Sequence, residues 1–548
     1  MRSEAVAAVL AALLATSAGC GRGNGTGATT GDPFPDGPPA HGDAIVFGTI
    51  GDASNLIPML ASDSASHEYA DNIFDGLLDY DRTLSVLEPR LAEKWEIGKG
   101  GLEITFHLRH DVKWTDGEPF TARDVQFGFN LIRDPATQTP YAEDYKQVQS
   151  FELLDDWTFR VTYEKPYAPA LASWGSMVVL PRHLLEGKDI NESDFGRHPV
   201  GLGPYKFEEW EHNTRYSMRA NHDYYRTDPW IERVVYRVIP DDSAQFLELK
   251  AGGLDMIGLT PLQYSRQTSA PVFAKDFRKY RFVSNAYTYM ACNLSDPRFA
   301  DVRVRQAFTY AIDKQEIVDA VLFGLGKVAE GPYRPGTKWL NANLKPYPFD
   351  PAKARALLAE AGWTDSDGDG IVDKDGKPFS FRILTNQGND QRLKTATMIQ
   401  KRLRDVGVDA QVRVIEWSSF LHDFIDKRRF DAIVLGWSLS LDPDQYDIWD
   451  SSKTGPNQFN FIGYSNKEVD ELLEKGRRTF DEAERKRIYD RLQEILYEEQ
   501  PYTFLYVPEA TPILAARFHG IEEAPAGISW NFPFWYVPRG EQKYVITQ

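Results

Sequence analysis

Residues 381–437 read FRILTNQGNDQRLKTATMIQKRLRDVGVDAQVRVIEWSSFLHDFIDKRRFDAIVLGW. Residues 381–384 have strand character and 390–405 the composition of a helix. Val408, Ala410, Val412 and Val414 then alternate with polar residues, the period of a half-buried strand. A short helix over 418–427 leads into an apolar strand over 430–437. Strand–helix–strand–helix–strand order predicts a parallel α/β sheet. In such sheets ligands bind outside the carboxyl ends of the strands. The loops at those ends are Thr385-Asn386-Gln387-Gly388-Asn389 and Ser438 to Asp444, which makes Asn386 a candidate contact.

Outward from this run, Ser465 with Glu468 starts a helix that Gly476 is expected to end, and another follows over 481–497. Asp301 to Phe323 carries one apolar stripe at Val304, Ala307, Phe308, Ala311, Ile312, Val318, Val321 and Leu322, predicting a single helix stopped by Gly324. Asp350-Pro351 opens a helix that Gly362 closes. In the first half, residues 45–49, 102–108, 158–163 and 233–239 read as strands. Thr121 with Asp124 imitates a capping box, and Gly201-Leu202-Gly203-Pro204 interrupts the chain.

The chain has 548 residues, enough for two or three domains. Its net charge of −18 repels phosphate backbones and argues against a nucleic-acid partner. The start, MRSEAVAAVLAALLATSAGCGRG, pairs Arg2 with an apolar run over 5–15 that is too short to span a bilayer. Ser17-Ala18-Gly19 then precede Cys20, so residues 1–19 read as a signal peptide. The cysteine after small residues resembles a bacterial lipobox, which implies cleavage before Cys20 and acylation of its thiol; ordinary secretion is the alternative. Residues 20–42 are rich in Gly, Pro and Thr and read as a flexible tether with a reach of about 25 Å. Cys292 is then the only other cysteine, and it is expected to be a small core residue.

Catalytic signatures are weak. There is no Gly-x-Ser-x-Gly elbow and no phosphate-binding loop, and His67-Glu68 lacks the second histidine of a zinc protease. The better metal candidate is DSDGDGIVD over 365–373. Asp365, Asp367 and Asp369 have calcium-loop spacing, with the Ile371 carbonyl and Asp373 completing the ligand set. Gly376 stands where an EF-hand has its bidentate Glu, so a structural calcium ion and a solvated Asp/Gly turn are both open. No other cofactor is implied.

Several segments together resemble the extracytoplasmic solute-binding proteins of peptide, oligopeptide and nickel ABC importers (solute-binding family 5). They are PRLAEKW over 89–95, LRHDVKWTDGEPFTARDV over 108–125, and GLGPY over 201–205. Asn293-Leu294, DVRVRQA over 301–307 and AIDK over 311–314 complete the set. The resemblance covers about residues 43–545. It implies an α/β fold of the periplasmic-binding-protein type (type II, peptide-binding class), with two lobes hinged on a ligand and an extra domain on the first lobe. Lobe I would comprise 43–79, 200–282 and 501–548, the extra domain 80–199, and lobe II 283–500.

By the same resemblance, Trp437 ends the strand at the cleft, and Ser440 stands where peptide-binding relatives place an Asp against the ligand's ammonium group. A serine cannot supply that charge. Asp442 is either a substitute or the cap of the turn before Pro443. Asn55, Asn293 and Trp530 complete the implied contacts, with core packing the alternative role for Trp437 and Trp530. The implied function is capture of peptides or a related solute by a monomeric, lipid-anchored, exported receptor that docks on a permease and performs no catalysis. Its location would be the periplasm or outer cell surface. A nickel chelate, an oligosaccharide or an opine-like cargo, and a sensor handing ligand to a receptor, remain open.

Overall fold

Lobe I is built on a seven-stranded sheet drawn from separated parts of the chain. In spatial order its strands are Phe277–Lys279, Pro512–Ala515, Met256–Gly258, Gly42–Thr49, Ile231–Val238, Arg215–Ala220 and Tyr205–Glu211. Gly42–Thr49 runs parallel to Ile231–Val238, so their carboxyl ends lie together. The computed structural model describes residues 37–546 apart from Ser62 and Asn457. The candidate signal peptide 1–19 and the lipidation candidate Cys20 lie outside the described residues. All the elements below belong to one unit, Pro39–Gln548.

Lobe II holds a second seven-stranded sheet. Ser380–Asn386 is parallel to Asp409–Ile415 on one side and to Ala432–Ser438 on the other, as the alternation of types predicts. Ala286–Cys292 then pairs antiparallel with Ala432–Ser438, so the sheet is mixed. The helix Asp390–Arg404 buries Thr395, Ala396, Ile399 and Leu403 and leaves Asp390, Lys394 and Arg404 exposed or partly exposed, while Arg392 in its first turn is enclosed. Asn389 caps it, accepting from Arg392 N at 2.9 Å.

Three expectations are corrected. The stripe from Asp301 to Phe323 is two helices, Val302–Ala311 and Lys314–Ala320. Ile312 is extended between them, and the Asp313 carboxylate caps the second by accepting from Glu316 N at 2.9 Å. Gly476 lies inside the helix Lys467–Arg478 instead of ending it. Its missing side chain makes room for the Tyr489 ring, whose Cζ would stand 2.8 Å from a Cβ there. Residues from 501 onward were expected in lobe I, yet Tyr502–Ala510 pairs with Ala286–Cys292 in the lobe II sheet. The chain crosses between sheets after that strand, at 510–512, and again at 279–282. These two crossings lie side by side, with Tyr280 N donating to the Pro512 carbonyl at 2.9 Å, where a hinge between the lobes would lie.

The extra domain is a four-stranded antiparallel sheet, in order Ala92–Gly98, Glu103–Leu108, Thr158–Tyr163 and Val148–Leu153. Alternation puts Ile104, Phe106 and Leu108 on its buried face. Phe106 faces Phe159 across the ladder with ring centroids 5.0 Å apart. Each such ring contributes roughly 1.5–3 kcal/mol on burial. The Thr121 backbone N–H donates to Asp124 Oδ2 at 2.9 Å, so the capping box opens the helix Ala122–Arg133. Gly201 ties this domain to lobe I: its carbonyl accepts from Thr115 N at 3.0 Å, and a Cβ on it would stand 1.9 Å from the Ile73 carbonyl oxygen. Backbone must move to admit it, so Gly201→Ala is expected to lower stability by about 3 kcal/mol, read as a lower urea midpoint.

Candidate functional site

The carboxyl ends of the parallel strands in both lobes converge on one cleft. On the lobe II side, Gly388 sits close to lobe I: a Cβ on it would lie 3.5 Å from the Pro240 carbonyl oxygen and 4.0 Å from Ile50 Cβ. Burial, with Asp390 across the cleft and Asp241 beside it, pushes Asp242 up to about 6. Asn386 is buried and fully engaged, its Oδ1 accepting from Arg392 Nη1 at 2.9 Å and its Nδ2 donating to the Gln387 carbonyl at 3.1 Å. The Arg392 guanidinium lies over the strand ends, with Nη2 at 2.9 Å from where a Gly436 Cβ would be. Burial lowers its pKa, and the groups opposing that are the Tyr506 and Tyr289 phenols. Among the described residues it has no carboxylate partner.

Lobe I presents the opposite charge. Asp63 caps the helix Ser64–Ala70, which carries Glu68, and Asp71, Asp75 and Asp79 follow it. Arg90 pairs with Asp79 and lies 3.9 Å from Asp75. Asp75 also accepts from the Tyr224 and Tyr225 hydroxyls, each at 2.8 Å. Glu68 and Asp71 keep solvent-accessible surface with protein crowded around them. Burial pushes Glu68 up to about 7. It pushes Asp71 to about 6, opposed by His67 and reinforced by Asp79, Glu68 and Asp75.

The extra domain and lobe II meet through a mostly buried ionic cluster. Lys453, 7% exposed, pairs with Glu143, and Arg477, 5% exposed, lies 3.5 Å from Asp144 and 3.2 Å from the Tyr167 hydroxyl. Arg477 also donates through Nε to Asp444 at 2.7 Å, and its carbonyl accepts from Ala168 N at 2.7 Å. Asp447 lies 3.8 Å from Lys453.

The remaining sequence candidates take varied places. Trp437 donates to the Tyr502 hydroxyl at 3.3 Å and stacks on Phe461 at 5.7 Å, at the cleft end of its strand. Ser440 is exposed, with its Oγ accepting from Asp442 N at 3.3 Å. Asp442 is held by Arg485 through both oxygens, at 2.7 and 2.6 Å, so its charge is already matched within lobe II. Asn55 turns back on its own loop, accepting from Ile57 N at 2.8 Å. Trp530 donates to the Glu522 carbonyl at 2.9 Å within the C-terminal segment. Asn293 lies at the opposite end of the lobe II sheet, where its Nδ2 donates to the Phe430 carbonyl at 3.2 Å. It pins the amino end of Ala432–Ser438 and does not join the cleft.

In the Asp-rich loop, the carboxylates of Asp365, Asp367 and Asp373 converge within 4.8 Å of one another. Asp369 instead accepts from Ile371 N at 2.7 Å. Cys292 is buried and unpaired, and burial pushes its thiol up to about 12. Among the described residues, no helix is long and apolar enough to cross a membrane.

Comparison with known proteins decides what this cleft belongs to. The family described as bacterial extracellular solute-binding proteins, family 5 Middle, matches residues 86–459. The chain belongs to that family. Its members are substrate-binding proteins of transporters. The oligopeptide-binding protein AppA of Bacillus subtilis (strain 168) is 33% identical over 518 residues, covering 92% of this chain and 93% of the relative. The structure of AppA from Bacillus subtilis with a nonapeptide superposes with a TM-score of 0.86 at 31% identity, covering 92% of this chain and 100% of that one. NikZ from Campylobacter jejuni, in complex with Ni(L-His), gives 0.81 at 30% identity over 90% of this chain and 99% of that one. The solute-binding protein thus has a two-lobe fold.

Sequence reading missed Arg392, Glu68, Asp71 and the Arg477 cluster. On a helix, Arg392 reads as one more solvated cation among Lys394, Lys401, Arg402 and Arg404. A signal was nonetheless present: it occupies the first turn of a helix, where a cation opposes the macrodipole.

Proposed function

We propose that this protein is the extracytoplasmic receptor of an ABC importer for peptides, anchored through an acylated Cys20 and handing its closed, loaded form to a membrane permease. The observation that carries the reading is the division of charge across the cleft. Lobe II offers Arg392, a cation without an acid partner among the described residues, and lobe I offers Glu68 and Asp71. A peptide main chain is zwitterionic and matches both walls at once. The ammonium end would be received by the lobe I carboxylates, which removes the need for an acid at position 440. The nonapeptide bound by the similar AppA supports this cargo class. The receptor acts as a monomer, by hinge closure that the ligand favours.

Mass spectrometry of small molecules released from natively expressed protein tests the reading. Peptides are the expected recovery. Recovery of an oligosaccharide or a nickel chelate alone would overturn it. Metabolic labelling with a fatty acid tests the anchor, the label being expected in wild type and absent from Cys20→Ala.

Calcium at Asp365, Asp367 and Asp373 is a separate proposal, supported by the convergence of these carboxylates. Excess calcium is expected to raise the melting temperature relative to chelator, and Asp365→Asn to abolish the difference.

A further inference from the structure

Far from the cleft, at the amino ends of the parallel strands Gly42–Thr49 and Ile231–Val238, two imidazoles and two carboxylates gather. His41 immediately precedes the first strand, His222 and Asp228 lie in the loop after Arg215–Ala220, and Glu232 is near the start of the next strand. The eight-residue strands put this cluster roughly 25 Å from the ligand loops.

The ring nitrogens are sorted by their partners. His41 Nδ1 lies 3.2 Å from the Pro229 carbonyl, which can only accept, so Nδ1 carries the proton. His41 Nε2 is left facing Asp228 Oδ2 at 3.4 Å. Across the cluster, His222 Nε2 faces Glu232 Oε2 at 3.2 Å, and His222 Nδ1 faces Asp228 Oδ1 at 2.6 Å. Glu232 is 9% exposed, a carboxylate fixed by the fold and not a mobile surface group. The Trp230 ring, 4.4 Å from that of His41, limits the rotamers of the imidazole. Each histidine thus has an acceptor on its outer nitrogen, and both inner nitrogens converge on one carboxylate. Metal-bound histidines have this arrangement, the outer acceptor orienting the ring and raising its basicity. Donors around a tetrahedral zinc ion stand about 3.3 Å apart; here the two ring nitrogens lie 3.4 and 2.6 Å from Asp228 oxygens, and the donors of all three residues fall within 4.8 Å of one another.

We propose that His41 Nε2, His222 Nδ1 and Asp228 bind one divalent transition-metal ion of the zinc or nickel class, with Glu232 and the Pro229 carbonyl orienting the rings. Two nitrogen donors select such ions over calcium or magnesium. The ion fastens the residue that opens lobe I to the 221–230 loop. It is separate from any metal carried as cargo, because it sits at the opposite end of the sheet from the cleft.

The test uses untagged protein stripped with chelator and titrated separately with zinc chloride and cobalt chloride. One equivalent is expected, with a visible cobalt absorption band of low-symmetry coordination. His41→Ala and His222→Ala are expected to weaken zinc binding by at least about tenfold and remove the band, and Glu232→Gln to weaken it by about tenfold. Asp365→Asn is expected to leave this binding unchanged. All these variants should retain the wild-type circular dichroism spectrum, since both histidines are partly exposed. Absence of binding by the wild type, or equal affinity in the histidine variants, would overturn the proposal.

Discussion

Replacing Arg392 by Gln is expected to weaken binding of a peptide with a free carboxyl terminus by about 30-fold or more, and to leave its carboxyl amide nearly unaffected. Arg392 is enclosed at the strand ends, and burial lowers its pKa while the Tyr506 and Tyr289 phenols work in the other direction. Asn386 gives it one neutral hydrogen bond and no countercharge. A ligand carboxylate would complete a charge-assisted pair in a poorly solvated place. Losing one member of such a pair costs about 2–5 kcal/mol, and the lower bound is about 30-fold in affinity. Glutamine keeps a donor for Asn386, so the local fold should survive, which an unchanged melting temperature would verify. Calorimetry with the acid and the amide separates the roles. If both ligands weaken equally, Arg392 only braces the loop.

The two lobes differ in how much of them shows in the sequence. Asp409–Ile415 was legible because its sequence alternates at period two, Ala432–Ser438 and Ser380–Asn386 because they hold short apolar runs, and the helix between the first pair has its own cap. The hinge was not, because Tyr502–Ala510 is apolar enough to serve either sheet and only pairing assigns it. The cleft was legible as loops, through the strand-end rule, but not as chemistry. Arg477 and Asp144 are 333 residues apart, and no local pattern links a helix charge in lobe II to an aspartate in the extra domain. Asp442 was half legible. The turn role that Pro443 suggested is there, with Oδ1 accepting from Asp444 N at 2.9 Å, whereas Arg485, a partner 43 residues on that takes both oxygens, leaves no local trace.

Arg477→Ala should open the protein. Arg477 is the cation that Asp144 of the extra domain and Asp444 and Asp447 of lobe II share, and its side chain is 5% exposed. Removing it leaves Asp444 without its cation in either form, and leaves Asp144 without its own only in the closed arrangement, a loss there of about 3 kcal/mol. Peptide affinity is then expected to drop by about 100-fold or more, because ligand must supply the closure energy. X-ray scattering of the ligand-free variant is expected to give a larger radius of gyration than wild type. Unchanged affinity and scattering would show that the cluster merely stabilises lobe II. The same cluster sets a pH dependence. Burial pushes Asp144 up to about 6, with Arg477 opposing and Asp444 and Asp442 reinforcing. It pushes Asp447 up to about 7, reinforced by Asp144 and Asp444 and opposed by Arg477 and Lys453. Both pKa values are raised, so the closed form holds protons that separated, hydrated carboxylates would release. That stabilisation is complete below about pH 4 and is lost as pH rises through 6 and 7. Closure is therefore expected to weaken between pH 5 and pH 8. Asp447→Asn, which removes an acid the cluster cannot neutralise, is expected to flatten that profile and favour the closed form at the alkaline end.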